Sequence, residues 1–348
     1  MTRFKKILKQ IATPFILRGR DIGWKTKLTH VLIEEVRNYQ KENWLNSFNQ
    51  IFPEWHKLIE IQFFDNFVVR DSLIQQTDIY IGTWFSEKLI KQSPHLKLIQ
   101  LLSSGVEFLN LSIIPDNIQI TTASGITSES VAEHVLMLML ALDRRLDLAI
   151  ERQKVWHWDQ DGILQNIRGL KGRVVGIIGL GNNGRAVAFL TQCIGMKVVG
   201  FDIRTNLIIK GVEICRGGLS EVLSISDFVV LCVPLTKKTK NMIGSIEFKK
   251  MKKNAYLINV ARGEIVDDKA LAWALRKDFI KGAALDVLSS EPPRFFHPLR
   301  GCPNLIITPH VAGNINVCQE DIRRRLTSNV RRYMNNEQLE GLLPNYDI

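Results

Sequence analysis

The chain has 348 residues, with 46 Lys and Arg against 35 Asp and Glu for a formal net charge of +11, and is 45% hydrophobic and 23% charged. That length allows two domains with substantial cores, and that balance excludes a disordered or fibrous polymer. The densest apolar run, 135–142, is too short to cross a bilayer and is flanked by Glu133, His134 and Asp143, so no membrane span is expected.

Residues 1–28 form a basic N-terminal extension, in which Arg3, Lys5, Lys6, Lys9, Arg18, Arg20, Lys25 and Lys27 stand against Asp21 alone. Phe4, Ile7, Leu8 and Ile11 share one helical face ahead of Pro14. This predicts a helix packed on the first domain, with a surface-seeking or partner-binding helix as the other reading. No convincing apolar core and cleavage site are present, so no signal peptide is expected. Strands are predicted over 29–36, 59–64, 78–82, 96–102 and 118–122, with helices over 39–52 and 72–76. Such alternation specifies a parallel α/β sheet, whose ligands sit beyond the carboxyl ends of its strands. Ser104-Gly105-Val106 lies at such an end, where backbone N–H groups could receive a carboxylate. One long helix is predicted over 127–148, capped by Thr127 or Ser128, connecting two α/β units. The stretch 154–168 has no clean period and reads as a surface loop.

The stretch 171–202 organises the second unit: an apolar run, then Gly179, Gly181 and Gly184, then a helical pattern, then a second apolar run ending on Asp202. Strand, glycine turn, helix, strand and an acid about twenty residues on form a dinucleotide-binding pattern. The first glycine turns the chain, the second admits the pyrophosphate, and the third lets helix pack on strand. The helix N-terminus offers unpaired N–H groups to the phosphates. Asp202 suits ribose hydroxyls and repels a 2′-phosphate, favouring NAD. Arg204, two residues on, tempers that preference and leaves NADP possible.

Further strands are predicted over 228–233, 255–260, 282–287 and 305–308, with helices over 219–223, 246–251, 269–276 and 323–333. Asp202, Asn259, Arg262, Asp286, Glu291 and His310 thereby fall on one rim. Arg262 is the natural carboxylate clamp, because a guanidinium makes two parallel bonds. His310, one of seven histidines, is the natural proton carrier. Glu291 could bond the imidazole and favour its protonated form. The five cysteines, Cys193, Cys215, Cys232, Cys302 and Cys318, lack metal-ligand spacing and suit reduced thiols in a cytoplasmic protein, so no metal is expected. Basic residues are dispersed and form no aromatic-interleaved patch, so nucleic-acid binding is not expected. An acidic substrate or cofactor is the better account of the charge.

The segments LLSSGVEFLN, TTASGITSESVAEHVLMLML, GIIGLGNNGRAVA, CVPLT, LINVARGEIVDDKAL, GAALDVLSSEPP and NLIITPHVAG together resemble the NAD-dependent D-isomer-specific 2-hydroxyacid dehydrogenases, from about residue 78 onward and more loosely from about 29. The resemblance implies two doubly wound parallel-sheet α/β domains, Rossmann- and flavodoxin-like, with a cleft between them. It implies a small 2-hydroxy or 2-oxo acid as substrate and a homodimer paired through the cofactor domain. By similarity Arg262, Glu291 and His310 fall on the catalytic residues and Ser104-Gly105-Val106 on the substrate-carboxylate loop. Gly179, Gly181, Asn182, Asn183, Gly184, Asp202, Cys232, Val233, Pro234, Thr239, Val260, Ala261, Asp286, His310 and Gly313 fall on cofactor-contact positions, with Asp286 on the nicotinamide amide. The expected substrate domain is 29–127 plus 312–348, and the expected NAD-binding domain is 128–311.

Three positions depart from the pattern. Asn183 replaces the usual aliphatic residue of the glycine loop, and Glu107 the usual Asp after the carboxylate loop. Gly82-Thr83-Trp84 stands where phosphoglycerate dehydrogenases show Val-Arg-Ser, which argues against a phosphorylated substrate. The run LDVLSSEPP and the basic excess keep phosphoglycerate open. An NAD-sensing interaction protein of the same fold, like the C-terminal binding protein co-repressors, is the alternative from another class. The basic charge and N-terminal helix motivate it.

Overall fold

Short runs rich in Val, Ile and Leu, bounded by polar turns, become the strands of two parallel sheets. The computed structural model describes residues 28–35, 40–106, 109–204, 206–313 and 315–343. The helix predicted near the N-terminus and Glu107 lie outside these residues.

The first sheet is built from β1 (Thr29–Glu34), α1 (Lys41–Ile51), α2 (Trp55–Leu58), β2 (Ile59–Phe64), α3 (Phe67–Leu73), β3 (Ile79–Gly82), α4 (Glu87–Gln92), β4 (Leu98–Leu101) and β5 (Gln119–Thr121). Its strand order is β2-β1-β3-β4-β5, all pairs parallel. This is the flavodoxin-like doubly wound order. Helix α3 starts earlier than predicted because Asn66 caps it, its side chain accepting from Val69 N.

The chain then crosses through α5 (Ser128–Asp143), α6 (Leu146–Lys154) and α7 (Gln160–Leu164). The single helix predicted over 127–148 is two helices. Arg145 takes a left-handed φ of 55°, and its guanidinium bonds Asp147 and Asn304. The buried Asp143 carboxylate, bonded to Gly169 N and Arg173, ends α5. The predicted surface loop contains α7, started by Asp159 accepting from Gly162 N.

The second sheet comprises β6 (Val174–Ile178), α8 (Asn182–Cys193), β7 (Lys197–Phe201), β8 (Val212–Ile214), α9 (Gly218–Ile225), β9 (Phe228–Leu231), α10 (Ser245–Lys250), β10 (Tyr256–Asn259), α11 (Asp268–Arg276), β11 (Gly282–Leu285) and β12 (Leu305–Ile307). The order β12-β11-β10-β9-β6-β7-β8 reverses direction between β6 and β9, and all pairs are parallel. Strands β9, β10 and β11 are buried along their whole length, as central parallel strands must be with helices on both faces. Helix α5 lays Val131, Ala132, Val135, Leu138, Met139 and Leu142 into the same core as Val187 and Ala188 of α8.

The chain crosses back into α12 (Ile315–Met334). Cys318, Ile322, Leu326 and Val330 recur every fourth residue and join the first-sheet core with Val31, Ile33, Trp44 and Phe48. That stripe sets the start of α12 eight residues before the predicted 323. Where the two crossings meet, a Cβ added at Gly313 would lie 3.6 Å from Thr127 Oγ1. Among the described residues no helix is long and apolar enough to cross a membrane.

Candidate active site

The glycine turn sits where the second sheet reverses its order, the place at which open α/β sheets take ligands. Gly179 has φ +93°, and a Cβ there would lie 2.7 Å from Cys232 O and 2.8 Å from Val233 Cγ1. The turn therefore presses against the end of β9. A Cβ at Gly184 would fall 2.0 Å from Gly179 O, so α8 closes on the strand. A Cβ at Gly181 would meet nothing within 4 Å. That open space, beside the first N–H groups of α8, fits an approaching pyrophosphate. Asn183 turns its side chain to α5, where Oδ1 accepts from Ser128 Oγ at 2.7 Å, and Asn182 Nδ2 lies 3.4 Å from Ser124 Oγ. Thr239 braces the loop after β9, donating to Pro234 O at 2.7 Å.

Asp202 ends β7 as predicted, and its carboxylate is engaged by protein. Oδ1 accepts from Arg204 N (3.0 Å) and Nε (2.8 Å), and Oδ2 accepts from Leu180 N and Arg204 Nη2, both 2.8 Å. Burial pulls this carboxyl upward, but the Arg204 and Leu180 bonds outweigh it and hold the group at about 2. The acid is thus ionised but shielded by a half-exposed guanidinium.

Arg262, Glu291 and His310 follow β10, β11 and β12, three consecutive strands, and so leave the same end of the sheet. Two contacts join them. A Cβ at Gly263 would lie 1.9 Å from the backbone carbon of Leu288, so the Arg262 turn and the Glu291 turn touch backbone to backbone at a residue that must be glycine. Glu291 Oε2 and His310 Nδ1 are 2.6 Å apart, while Glu291 Oε1 accepts from Leu288 N at 2.9 Å. Asn259, buried at the end of β10, accepts from Ala261 N (3.0 Å) and donates to Arg262 O (2.8 Å), so it shapes the turn instead of facing the cleft.

His310 sits in the left-handed region at φ 54°, a conformation that a non-glycine residue adopts only when its surroundings hold it there. A clasp does so. Asp286, 2% exposed, accepts from Thr308 Oγ1 (2.5 Å), Val311 N (3.0 Å) and Ala312 N (2.8 Å). Helix α5 completes it from outside. Ser130 Oγ donates to Ala312 O at 2.9 Å, and one turn on, His134 Nε2 lies 2.9 Å from Thr308 Oγ1. Burial lowers the basicity of His134 against the upward pull of Asp286. Since the Thr308 hydroxyl donates to Asp286, its oxygen accepts from His134 Nε2–H.

A family model described as D-isomer specific 2-hydroxyacid dehydrogenase, NAD binding domain, matches residues 136–312. The chain belongs to the D-isomer specific 2-hydroxyacid dehydrogenases. Over 232 residues it is 35% identical to the glyoxylate reductase of Thermofilum pendens, covering 65% of this chain and 68% of that one. Over 254 residues it is 35% identical to the glycerate dehydrogenase of Methylorubrum extorquens, covering 70% and 78%. Among solved structures, the D-lactate dehydrogenase of Aquifex aeolicus in complex with NAD and lactic acid superposes with a TM-score of 0.71 at 29% identity, covering 88% of this chain and 96% of that one.

In this dehydrogenase the clasp is what sequence reasoning missed. Nothing in the sequence sets Ser130 and His134 apart from other helical residues except that they are two polar side chains one turn apart in an apolar helix. Gly263 was hidden because its neighbour comes from another strand. The Asp202–Arg204 pair makes a prediction about cofactor choice. Arg204→Ala is expected to lower kcat/KM with NADPH, relative to that with NADH, by roughly 10–100-fold, the worth of a charged hydrogen bond. Steady-state rates with both cofactors check it, and an unchanged ratio rules out contact between Arg204 and a 2′-phosphate.

Proposed function

We propose that the protein interconverts a D-2-hydroxy acid and its 2-oxo acid, with Arg262, Glu291 and His310 at the reacting carbon. The observation that carries this reading is the 2.6 Å Glu291–His310 pair on the same strand ends as Arg262, one reversal point away from the glycine turn. Bound NAD(H) supplies or removes the hydride. The Arg262 guanidinium clamps the substrate carboxylate, and the N–H groups of Ser104-Gly105-Val106, at the end of β4, receive the same group from the facing sheet. Glu291 accepts from His310 Nδ1–H, which leaves Nε2 as the atom that exchanges the proton. In reduction Nε2–H gives its proton to the carbonyl oxygen; in oxidation neutral Nε2 takes the proton from the hydroxyl.

On this reading residues 29–127 and 312–348 form the substrate half, 128–311 form the NAD half, and the cleft lies between them. Gly179, Gly181, Asn182, Asn183 and Gly184 serve the pyrophosphate and Asp202 the ribose. Cys232, Val233, Pro234, Thr239, Val260, Ala261 and Gly313 line the remaining cofactor path. A cytoplasmic homodimer is proposed as well. Exposed Met137, Leu140, Leu146, Ile150, Trp156 and Trp158 on and after α5 and α6 give it an apolar surface to bury. Oxidation of NADH in the presence of a panel of 2-oxo acids is the test. Turnover of at least one member is expected, and none from any of them sinks the proposal.

A further inference from the structure

We propose, on the basis of the reading above, that the rim of the first sheet beside the Ser104–Val106 loop is an apolar side-chain subsite, which selects 2-oxo acids bearing an aromatic or large branched side chain.

Strands β3 and β4 are neighbours, with Gly82 opposite Leu101 and Leu102 N donating to Gly82 O at 2.9 Å. Thr83-Trp84 and Ser103-Ser104-Gly105 therefore leave the same end of two adjacent strands, which themselves lie about 5 Å apart. A substrate whose carboxylate rests on Ser104–Val106 has Trp84 within reach of its side chain.

The rim is apolar where a side chain would lie. Trp84 is 44% exposed, and Phe67 and Val68, at the start of α3, are 63% and 81% exposed. The Phe67 and Trp84 rings lie 6.4 Å apart. Isolated exposed apolar residues are ordinary, but an exposed aromatic pair, one member of which leaves the strand next to a ligand loop, marks a binding surface. The wall is also held in place. The buried Tyr80 hydroxyl donates to Trp84 O at 2.8 Å, and Arg70, 5% exposed, places its guanidinium 4.7 Å from the Phe67 ring centroid and 5.8 Å from that of Trp84.

Charge decides against a phosphorylated or dicarboxylic substrate. The Arg70 charge is matched by Asp71, whose Oδ1 accepts from Nε (3.1 Å) and Nη2 (2.8 Å), with Lys88 Nζ 3.3 Å from Oδ2. Thr83, at the β3 exit, gives both its N–H (2.5 Å) and its hydroxyl (2.7 Å) to Glu34 Oε2 from β1. An anion arriving there would meet a carboxylate and find those donors taken. Glyoxylate, with hydrogen in place of a side chain, would gain nothing from the aromatic wall.

The experiment is steady-state kinetics with NADH on the wild-type protein, Trp84→Ala and Trp84→Phe. The substrates are phenylpyruvate, 4-methyl-2-oxopentanoate, glyoxylate and 3-phosphohydroxypyruvate. The expected result is a higher kcat/KM for the first two acids. Trp84→Ala should lower the phenylpyruvate-to-glyoxylate ratio by roughly 10–100-fold, as loss of pocket contact does, and Trp84→Phe should retain most of it. Preference for glyoxylate or for the phosphorylated acid, or a ratio that Trp84→Ala does not move, overturns the subsite and leaves the dehydrogenase reading standing. No turnover with any acid overturns both.

Discussion

Replacing His310 with Asn lowers kcat roughly 10²–10⁴-fold, the usual contribution of a positioned acid–base group. Asn is the informative substitution because position 310 has φ 54° and Asn tolerates the left-handed region better than other non-glycine residues. The backbone can keep its course, so the loss reads chemistry and not strain. Parallel melting curves should show a small change in Tm. A rate within a fewfold of wild type would remove His310 from proton transfer, and a large fall in Tm would assign the loss to folding.

Asp286→Ala is expected to damage both stability and turnover. The carboxylate is buried and accepts from Thr308, Val311 N and Ala312 N. Its removal strands two backbone N–H groups, at about 1–3 kcal/mol for each donor left without a partner. The same change frees the turn that carries His310, so kcat should fall along with Tm. If Asp286 instead acts only on the nicotinamide amide, as similarity implies, the variant would raise KM for NADH at an unchanged Tm. Thermal unfolding measured beside kcat and the NADH KM separates the two.

Most of the fold was legible because parallel α/β sheets announce themselves. The buried strands β9, β10 and β11 are continuous apolar runs, and the turn from Gly179 to Gly184 combines glycine spacing, strand, helix and a terminal Asp202. Arg262, Glu291 and His310 could be picked out because each follows such a run. What the sequence hid depends on partners distant along the chain. The break at Arg145 depends on Asn304, the need for glycine at 263 depends on Leu288, and the roles of Ser130 and His134 depend on Ala312 and Thr308. In the sequence, Arg204 already tempers the cofactor preference of Asp202. Only the fold shows Arg204 folding back on it with two nitrogens, because a local spacing of two does not specify a side-chain rotamer. Helix α12 starts ahead of the basic run from Arg323 because Cys318 and Ile322 extend its buried stripe toward the N-terminus.

The closeness of Gly313 to Thr127 has a mechanical consequence. The two chain crossings run side by side there, so a movement of one sheet against the other would turn on few backbone torsions. The clasp on His310, the Gly263–Leu288 contact and the Glu291 pair all lie to one side of those crossings. A swing would therefore carry the Ser104 loop and its aromatic wall toward an acid–base assembly that travels as a rigid unit, its internal distances unaffected by how wide the mouth stands.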